Sequence, residues 1–367
     1  MERVLALKAN YLADVLGWEV LIITTEREEH PPSFHFSSKI RRVCLNVHYQ
    51  EENNHALMSR IFLRMKKRRL HRKLLASLLM SERCDICVSM FCHEMRFLPY
   101  IKDGSKKVLE LHFCKKFRQL DIKYNRGSFF RKALGAYQDV LEHKSIHDYD
   151  AFVVLTHEDA ADWGSAYDCS VIPNPLAFLP QNISDYKSKH VVAVGRLCPQ
   201  KGFDMLVQAW SLLPASVRNE WSLSIYGDGK DKAELIKYIT ERGMGTSVTL
   251  YSSVADIQGK LSEASIYCHT SRYEGIGMAL MEAMSCGLCC VAFDSSCGPK
   301  DLIEDNHTGV LVKSFDIHDF AEKLQRVMED IEMRRTIGSR ASNYIIENFS
   351  IENVMKKWEE LFNEITK

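Results

Sequence analysis

The sequence predicts an α/β protein built on parallel sheets and divided into two domains. Apolar runs of strand length alternate with helical patterns along the chain. The clearest unit is SRYEGIGMALMEAMSCGLCCVAFD, Ser271 to Asp294. A loop follows the apolar run Ala264–His269, a helical pattern covers Gly277–Cys286, Gly287 stops it, and Leu288–Phe293 is a second apolar run. Strand, loop, helix, glycine stop and strand is a βαβ signature. The length of 367 residues suits two domains of ordinary size. Pro173-Asn174-Pro175 breaks regular structure, and the polar stretch Gln181–Lys189 reads as a linker. The expected divisions are 1–178, 179–350 and a terminal helix over 351–367.

The elements follow in order. Glu2–Leu16 carries helical apolar spacing through Val4, Leu5, Leu7, Leu12, Val15 and Leu16; Gly17 ends it, and Glu19–Thr24 is a buried strand. Leu57–Met80 is a long basic helix in which Arg60, Arg64, Lys66, Lys67, Arg68, Arg69, Arg72 and Lys73 interleave with apolar residues. Strands are expected at Asp85–Met90, Lys107–Leu111, Ala151–Leu155 and Cys169–Ile172. The second half opens on the strand His190–Gly195, continues as a helix over Phe203–Leu213, then strand Ser222–Tyr226, helix Lys230–Arg242 and strand Ser247–Leu250. Helices from Ile317 onward complete it, with apolar spacing at Phe320, Leu324 and Val327, then Val354, Trp358, Leu361 and Phe362.

Composition narrows the class. A hydrophobic share of 46% and a charged share of 26% are those of a globular protein. No run of eighteen apolar residues and no secretory signal is present, and twelve cysteines lie scattered, several inside apolar runs. That usage points to reduced, buried cysteine and a cytoplasmic setting. Cys84 and Cys87 form a C-x-x-C, but inside a strand-like run rather than at a helix start, which disfavours a redox or zinc role. The net charge of zero is uneven: residues 1–180 hold 27 Lys/Arg against 22 Asp/Glu, and the remainder 21 against 26. The first half is therefore the side that suits an anionic partner. Its basic helix reads either as a domain helix with a solvated face or as a segment lying on an anionic membrane. Sparse aromatics and the absence of a nucleic-acid motif argue against DNA or RNA.

Chemistry concentrates around Glu274-Gly275-Ile276-Gly277-Met278 and Glu282. Glycines flanking a loop-to-helix turn let a ligand approach the backbone, and the first helical turn offers unpaired N–H groups to an anion. The two carboxylates are too far apart for a hydrolytic pair, since eight helical residues rise about 12 Å. They suit separate hydroxyl-bearing parts of one extended ligand; the alternative is a pair of solvated surface carboxylates.

Glu274-x7-Glu282 within EGIG…LMEAMSCG resembles the signature of family 4 retaining glycosyltransferases of the GT-B fold. The resemblance runs through most of the chain. Gly195-Arg196…Lys201-Gly202 is similar to the family's G-R-x-x-x-x-K-G element, where Arg196 supplies a planar fork and Lys201 a compact ammonium to a diphosphate. His112, just past the Lys107–Leu111 strand, matches a family His that lines the cleft near the reacting sugar. Tyr251-Ser252-Ser253 stands where members often have Gly, and Phe293–Asp301 resembles a D-C-P-x-G-P-x-E-like loop with Ser295, Ser296 and Asp301 departing from it. In the family a strand and a Gly-Gly turn precede the first helix. Here the sequence opens at Met1-Glu2-Arg3-Val4, so the first domain is expected without that strand.

The resemblance implies two Rossmann-like domains facing across a cleft, with the last helix crossing back onto the first. It implies a hexosyltransferase that moves a sugar, with retention, from a UDP-sugar to a saccharide or lipid-linked acceptor in cell-surface polysaccharide assembly. Glu274 would contact the donor sugar and Glu282 the ribose. Arg196, Lys201 and the Gly275, Ile276, Gly277 and Met278 turn would take the diphosphate. No metal or other cofactor is expected, because two cations already serve the diphosphate. The setting implied is the cytoplasmic face of the inner membrane, bound peripherally. Two alternatives share the ligand: a nucleotide-sugar epimerase of the same fold, and a nucleotide-sugar binder without turnover.

Overall fold

A computed structural model describes residues 1–26, 32–49, 57–125 and 129–367. In the N-terminal half, α1 (Glu2–Asp14) leads to β1 (Leu21–Thr24) and β2 (Arg41–Cys44), then the 26-residue α2 (Leu57–Glu82) and β3 (Ile86–Ser89). Strand β4 (Lys106–Glu110), helices α3 (Phe117–Tyr124) and α4 (Phe129–Ile146), β5 (Ala151–Val154), α5 (His157–Trp163) and β6 (Cys169–Val171) complete it. Strands β3-β4-β5-β6 form one parallel sheet, while β1 and β2 pair only with each other. The N-terminal sheet is thus split among the described residues, although Ile23 and Leu45 still pack into the cluster around Leu79, Leu98 and Leu109.

The C-terminal half carries β7 (His190–Val194), α6 (Phe203–Leu212), α7 (Ala215–Glu220), β8 (Ser222–Tyr226), α8 (Lys232–Glu241), β9 (Val248–Tyr251), α9 (Ile257–Ser262) and β10 (Ile266–His269). It continues with α10 (Met278–Ser285), β11 (Cys289–Phe293), α11 (Pro299–Leu302), β12 (Val310–Val312), α12 (Ile317–Glu329), α13 (Ile331–Phe349) and α14 (Ile351–Thr366). Its six parallel strands run in the order β12-β11-β10-β7-β8-β9. Chain order therefore reverses between β7 and β10. In open α/β sheets ligands bind at that switch point, beyond the carboxyl ends of the strands.

The sequence explains these elements directly. Runs such as HVVAV and CCVAF are apolar on both faces, as a strand covered by helices on each side must be. Asp316, Asp330 and Ser350 each cap a helix by accepting from the backbone N–H three residues on. Helix α14 returns to the N-terminal half, where Val354, Met355, Trp358, Leu361 and Phe362 pack on Val108, Val153 and Ile172.

The long basic helix differs from its expected form in one respect. Two of its polar residues are buried: Lys67 donates to the His48 carbonyl, and His71 contacts the Tyr49 hydroxyl at 3.1 Å. Burial pulls the His71 pKa down to about 4. The side chains of Leu57, Met58, Arg60 and Ile61 lie outside what is described.

Candidate active site

The two loops at the switch point are stitched together by their own backbone and side chains. One follows β7 and carries Arg196 and Lys201; the other follows β10 and carries Glu274. The Arg272 N–H donates to the Gln200 carbonyl at 2.7 Å, Gln200 Nε2 to the Tyr273 carbonyl at 3.0 Å, and Thr270 Oγ1 to the Lys201 carbonyl at 3.1 Å. The Arg272 guanidinium forks onto Asp204 at 2.9 and 2.6 Å and also donates to the Pro199 carbonyl. A bidentate pair of this kind fixes geometry as well as adding energy.

Glu274, expected to face the donor sugar, is buried beside Lys201. Its Oε1 accepts from Lys201 Nζ at 2.5 Å and from Ser271 Oγ at 2.6 Å. Burial alone would raise its pKa, but the Lys201 ammonium, His269 and these hydrogen bonds outweigh it, so the carboxyl lies below its usual range. Arg196 is exposed and turned toward Gln200, whose Oε1 it reaches at 3.1 Å. Helix α10 begins immediately beyond Glu274. Gly277 caps it in a left-handed conformation, φ +85°, and Gly275 lies so near the other domain that a Cβ there would stand 2.2 Å from the His112 carbonyl oxygen.

That contact brings His112 to the loop that carries Glu274. His112 Nε2 is buried, lies 3.4 Å from Glu110 Oε1, and makes no hydrogen bond among the described residues. Glu110 is itself held by Lys8 Nζ at 2.5 Å. Burial opposes ionisation of Glu110, yet the charges of Lys8 and His112 carry its pKa down to about 2. Glu282, on α10, is buried and accepts from Arg3 of α1 at 2.9 Å. Its pKa is raised by burial, an effect that Arg3 and Lys201 only partly offset.

Every residue singled out from the sequence therefore lies on the switch-point loops, on α10, or against them. Several partners were not legible from the sequence. Arg272, Ser271 and Arg3 belong to no spacing pattern; the roles of Arg272 and Arg3 rest on contacts between segments far apart in the chain, and that of Ser271 on a bond to Glu274 within its own loop. His269, at the end of β10, was read only as the last residue of an apolar run. It is buried with Nε2 unpartnered, and burial lowers its pKa to about 4.

A second interdomain cluster has the composition of a metal site. Ligand atoms of Asp159, Asp162 and Cys297 lie within 4.8 Å of one another. Asp159 already accepts from the Lys115 N–H and from Trp163 Nε1, and Asp162 from Lys116 Nζ. Those donors, all from the N-terminal half, satisfy the carboxylates, and Cys297 Sγ reaches Asp159 Oδ1 from the other half at 3.8 Å. Nearby, the Cys297 N–H donates to Glu158 Oε2 at 2.9 Å, and Asp301 Oδ1 accepts from the His157 N–H at 2.6 Å.

Two parallel α/β domains, with the candidate site on the inner ends of their strands, define the class as GT-B. Sucrose-phosphate synthase from Thermosynechococcus elongatus has that fold in common with this chain, with a TM-score of 0.79 at 18% identity over 98% of this chain and 91% of the other. Residues 178–344 match the family described as Glycosyl transferases group 1. A poly(ribitol-phosphate) alpha-N-acetylglucosaminyltransferase from Staphylococcus aureus (strain COL) is 34% identical over 175 residues, which is 48% of this chain and 35% of that protein. A mutant of S. aureus TarM, solved in complex with fondaparinux, alpha-GlcNAc-glycerol and UDP, aligns with a TM-score of 0.65 at 25% identity, covering 80% of this chain and 59% of that one. This chain spans between 35% and 61% of the length of the first three curated relatives it matches.

Proposed function

We propose that the protein is a retaining glycosyltransferase that moves a hexose from a UDP-sugar to a hydroxyl of a saccharide or lipid-linked acceptor in cell-surface polysaccharide assembly. The observation that carries this reading is the convergence, at the switch point, of Lys201, Glu274 and the first turn of α10. The named activity of the S. aureus relative and the UDP in the TarM complex support the same ligand class.

The reaction breaks the bond between the anomeric carbon and the donor phosphate, so negative charge grows on the departing diphosphate. Lys201, Arg196 and the amides of Gly275–Met278 would receive it. Donors fixed in place before the charge develops lower the barrier without reorganising. Glu274, kept ionised, would accept from sugar hydroxyls and hold the anomeric carbon in position, which is catalysis by placement rather than by proton transfer. Glu282 would hold the ribose, exchanging its Arg3 partner for the two ribose hydroxyls. The acceptor hydroxyl attacks from the face the diphosphate leaves, and a donor phosphate oxygen takes its proton.

The test is a panel of nucleotide sugars and acceptors read by mass spectrometry, on the wild type and on Arg196→Ala and Lys201→Ala. Each substitution is expected to cost about 10²–10³ in turnover, the usual loss for one such donor, with the fold intact by circular dichroism. Full turnover in both variants overturns the reading. Conversion of a donor sugar without acceptor would identify an epimerase instead.

A further inference from the structure

We propose that the outer face of α2 docks on an anionic lipid surface. The inference stands apart from the reaction assigned above. At 100° per residue, Phe62, Lys66, Arg69, Lys73, Ser77 and Met80 fall in one stripe along the helix. All of them are exposed, while Lys67, His71, Leu75 and Leu79 point the other way and are buried. Phe62 is 72% exposed and Met80 51%, and Met65, beside the stripe, is 54% exposed. An aromatic ring and a thioether therefore stand at the two ends of a cationic row, about 27 Å apart along the helix.

Charge makes the face one-sided. The helix holds no carboxylate before its last residue, Glu82, which is paired with Arg41 of β2. Lys66, Arg69, Arg72 and Lys73 consequently have no ion-pair partner among the described residues. A solvated helix of an ordinary domain intersperses acids with its bases, gaining from pairs one turn apart. Among the described residues no acid answers Lys66, Arg69, Arg72 or Lys73, and an external anion would relieve their mutual repulsion.

The apolar ends decide which anion. A soluble polyanion could neutralise the lysines and arginines but has nothing to offer Phe62 or Met80. A bilayer interface supplies both: phosphates at the level of the cations, and acyl chains just below for the ring and the thioether. Long Lys and Arg stems can lie along the apolar layer with their heads among the phosphates. No described helix is long and apolar enough to cross a membrane, so the contact lies in the interface plane.

The test is co-sedimentation of the full chain with phosphatidylcholine vesicles, with and without phosphatidylglycerol. Binding is expected only with phosphatidylglycerol and should weaken as salt is raised. Each cation near an anionic surface is worth roughly fivefold in affinity, so Lys66→Ser with Arg69→Ser and Lys73→Ser should lose about a hundredfold. Phe62→Ser with Met80→Ser should weaken vesicle binding about tenfold or more and leave binding to soluble polyphosphate unchanged. Equal binding to neutral vesicles, or none to either kind, overturns the proposal. So does binding to polyphosphate as tight as to vesicles, with no response to Phe62→Ser and Met80→Ser, which would assign the face to a soluble polyanion. Unchanged thermal midpoints confirm that these exposed substitutions leave the fold intact.

Discussion

The two domains bury their parallel sheets by different means. The C-terminal sheet is continuous, its strands β7, β10 and β11 are sealed by their own helices, and its core is aliphatic and aromatic throughout, from Val191 and Trp210 to Phe320 and Leu324. The N-terminal sheet is split, Val88 of β3 is 40% exposed, and one face is covered by α14, which enters from the far end of the chain. Beside the apolar contacts of that helix lies an ion pair: Lys8 Nζ sits 4.4 Å from the centre of the Trp358 ring and bonds Glu110. The C-terminal sheet is thus held by apolar burial, with its buried ion pair, Lys201–Glu274, set out on the switch-point loops. The N-terminal sheet carries its buried charge pair on a strand of the sheet itself, where titration bears directly on its packing.

The largest effect should follow from breaking that pair. Lys8→Met removes the partner of a buried carboxylate, and losses of about 3–5 kcal/mol are usual in such a case. Urea unfolding should show the N-terminal domain losing this much. The pH dependence has a definite sign. Glu110 titrates at about 2 in the folded protein against an ordinary 4.5, so its contribution is complete above about 4.5 and disappears as pH falls toward 2. Lys8→Met should abolish that acid-sensitive increment, because Glu110 left alone would be pushed above its ordinary value by burial. An unchanged unfolding curve would mean the two domains are held alike after all.

The same contrast explains what could be read from the sequence. The C-terminal strands and helices were legible because each repeats one local rule: a short apolar run, a glycine or proline break, then helical spacing. Strand Ser222–Tyr226 is found where expected, and β7 and α6 end within one residue of their expected limits. Strand β2, RRVC, was missed because it carries two exposed arginines and no apolar alternation. Helices α3 and α4 were missed because their polar sequences gave no clean period. At the site, the EGIG turn, Glu282, Arg196 and Lys201 were visible because the resemblance holds them at fixed spacing. The Lys201–Glu274 pair, the Arg3–Glu282 contact and the Gly275–His112 approach were not, because each joins segments at least 73 residues apart.

An intermediate effect is expected at Arg272, where the C-terminal domain fixes the geometry of its own loops. Arg272→Leu removes the fork onto Asp204 and the bond to the Pro199 carbonyl, leaving the Arg196–Lys201 loop without its lateral support. UDP affinity measured by calorimetry should fall about tenfold, near the lower end of the ~1.5–3 kcal/mol typical of hydrogen bonds to charged groups. Arg272→Lys should recover little, because an ammonium cannot replace a planar fork. Full recovery with Lys would show that charge alone, not loop geometry, is what Arg272 supplies.

The smallest effect belongs to the joint between the domains. Asp301 Oδ1 accepts from the His157 N–H at 2.6 Å, so a carboxylate of the C-terminal half meets the first turn of α5 in the N-terminal half. A carboxylate at a helix start is worth about 0.3–1 kcal/mol when partly exposed. Asp301→Ala should therefore lower turnover no more than about fivefold, by removing one bond from the joint between the domains. The carboxylate touches neither Lys201 nor Glu274, so UDP affinity, which the proposed site places on the C-terminal loops and α10, should stay unchanged. A second variant separates the joint from general damage: Asp301→Asn keeps an acceptor oxygen near the His157 N–H and should fall between wild type and Asp301→Ala. If UDP affinity drops as far as turnover does, the proposed nucleotide site is not confined to the C-terminal domain, and the division of labour drawn between the two halves fails at that point.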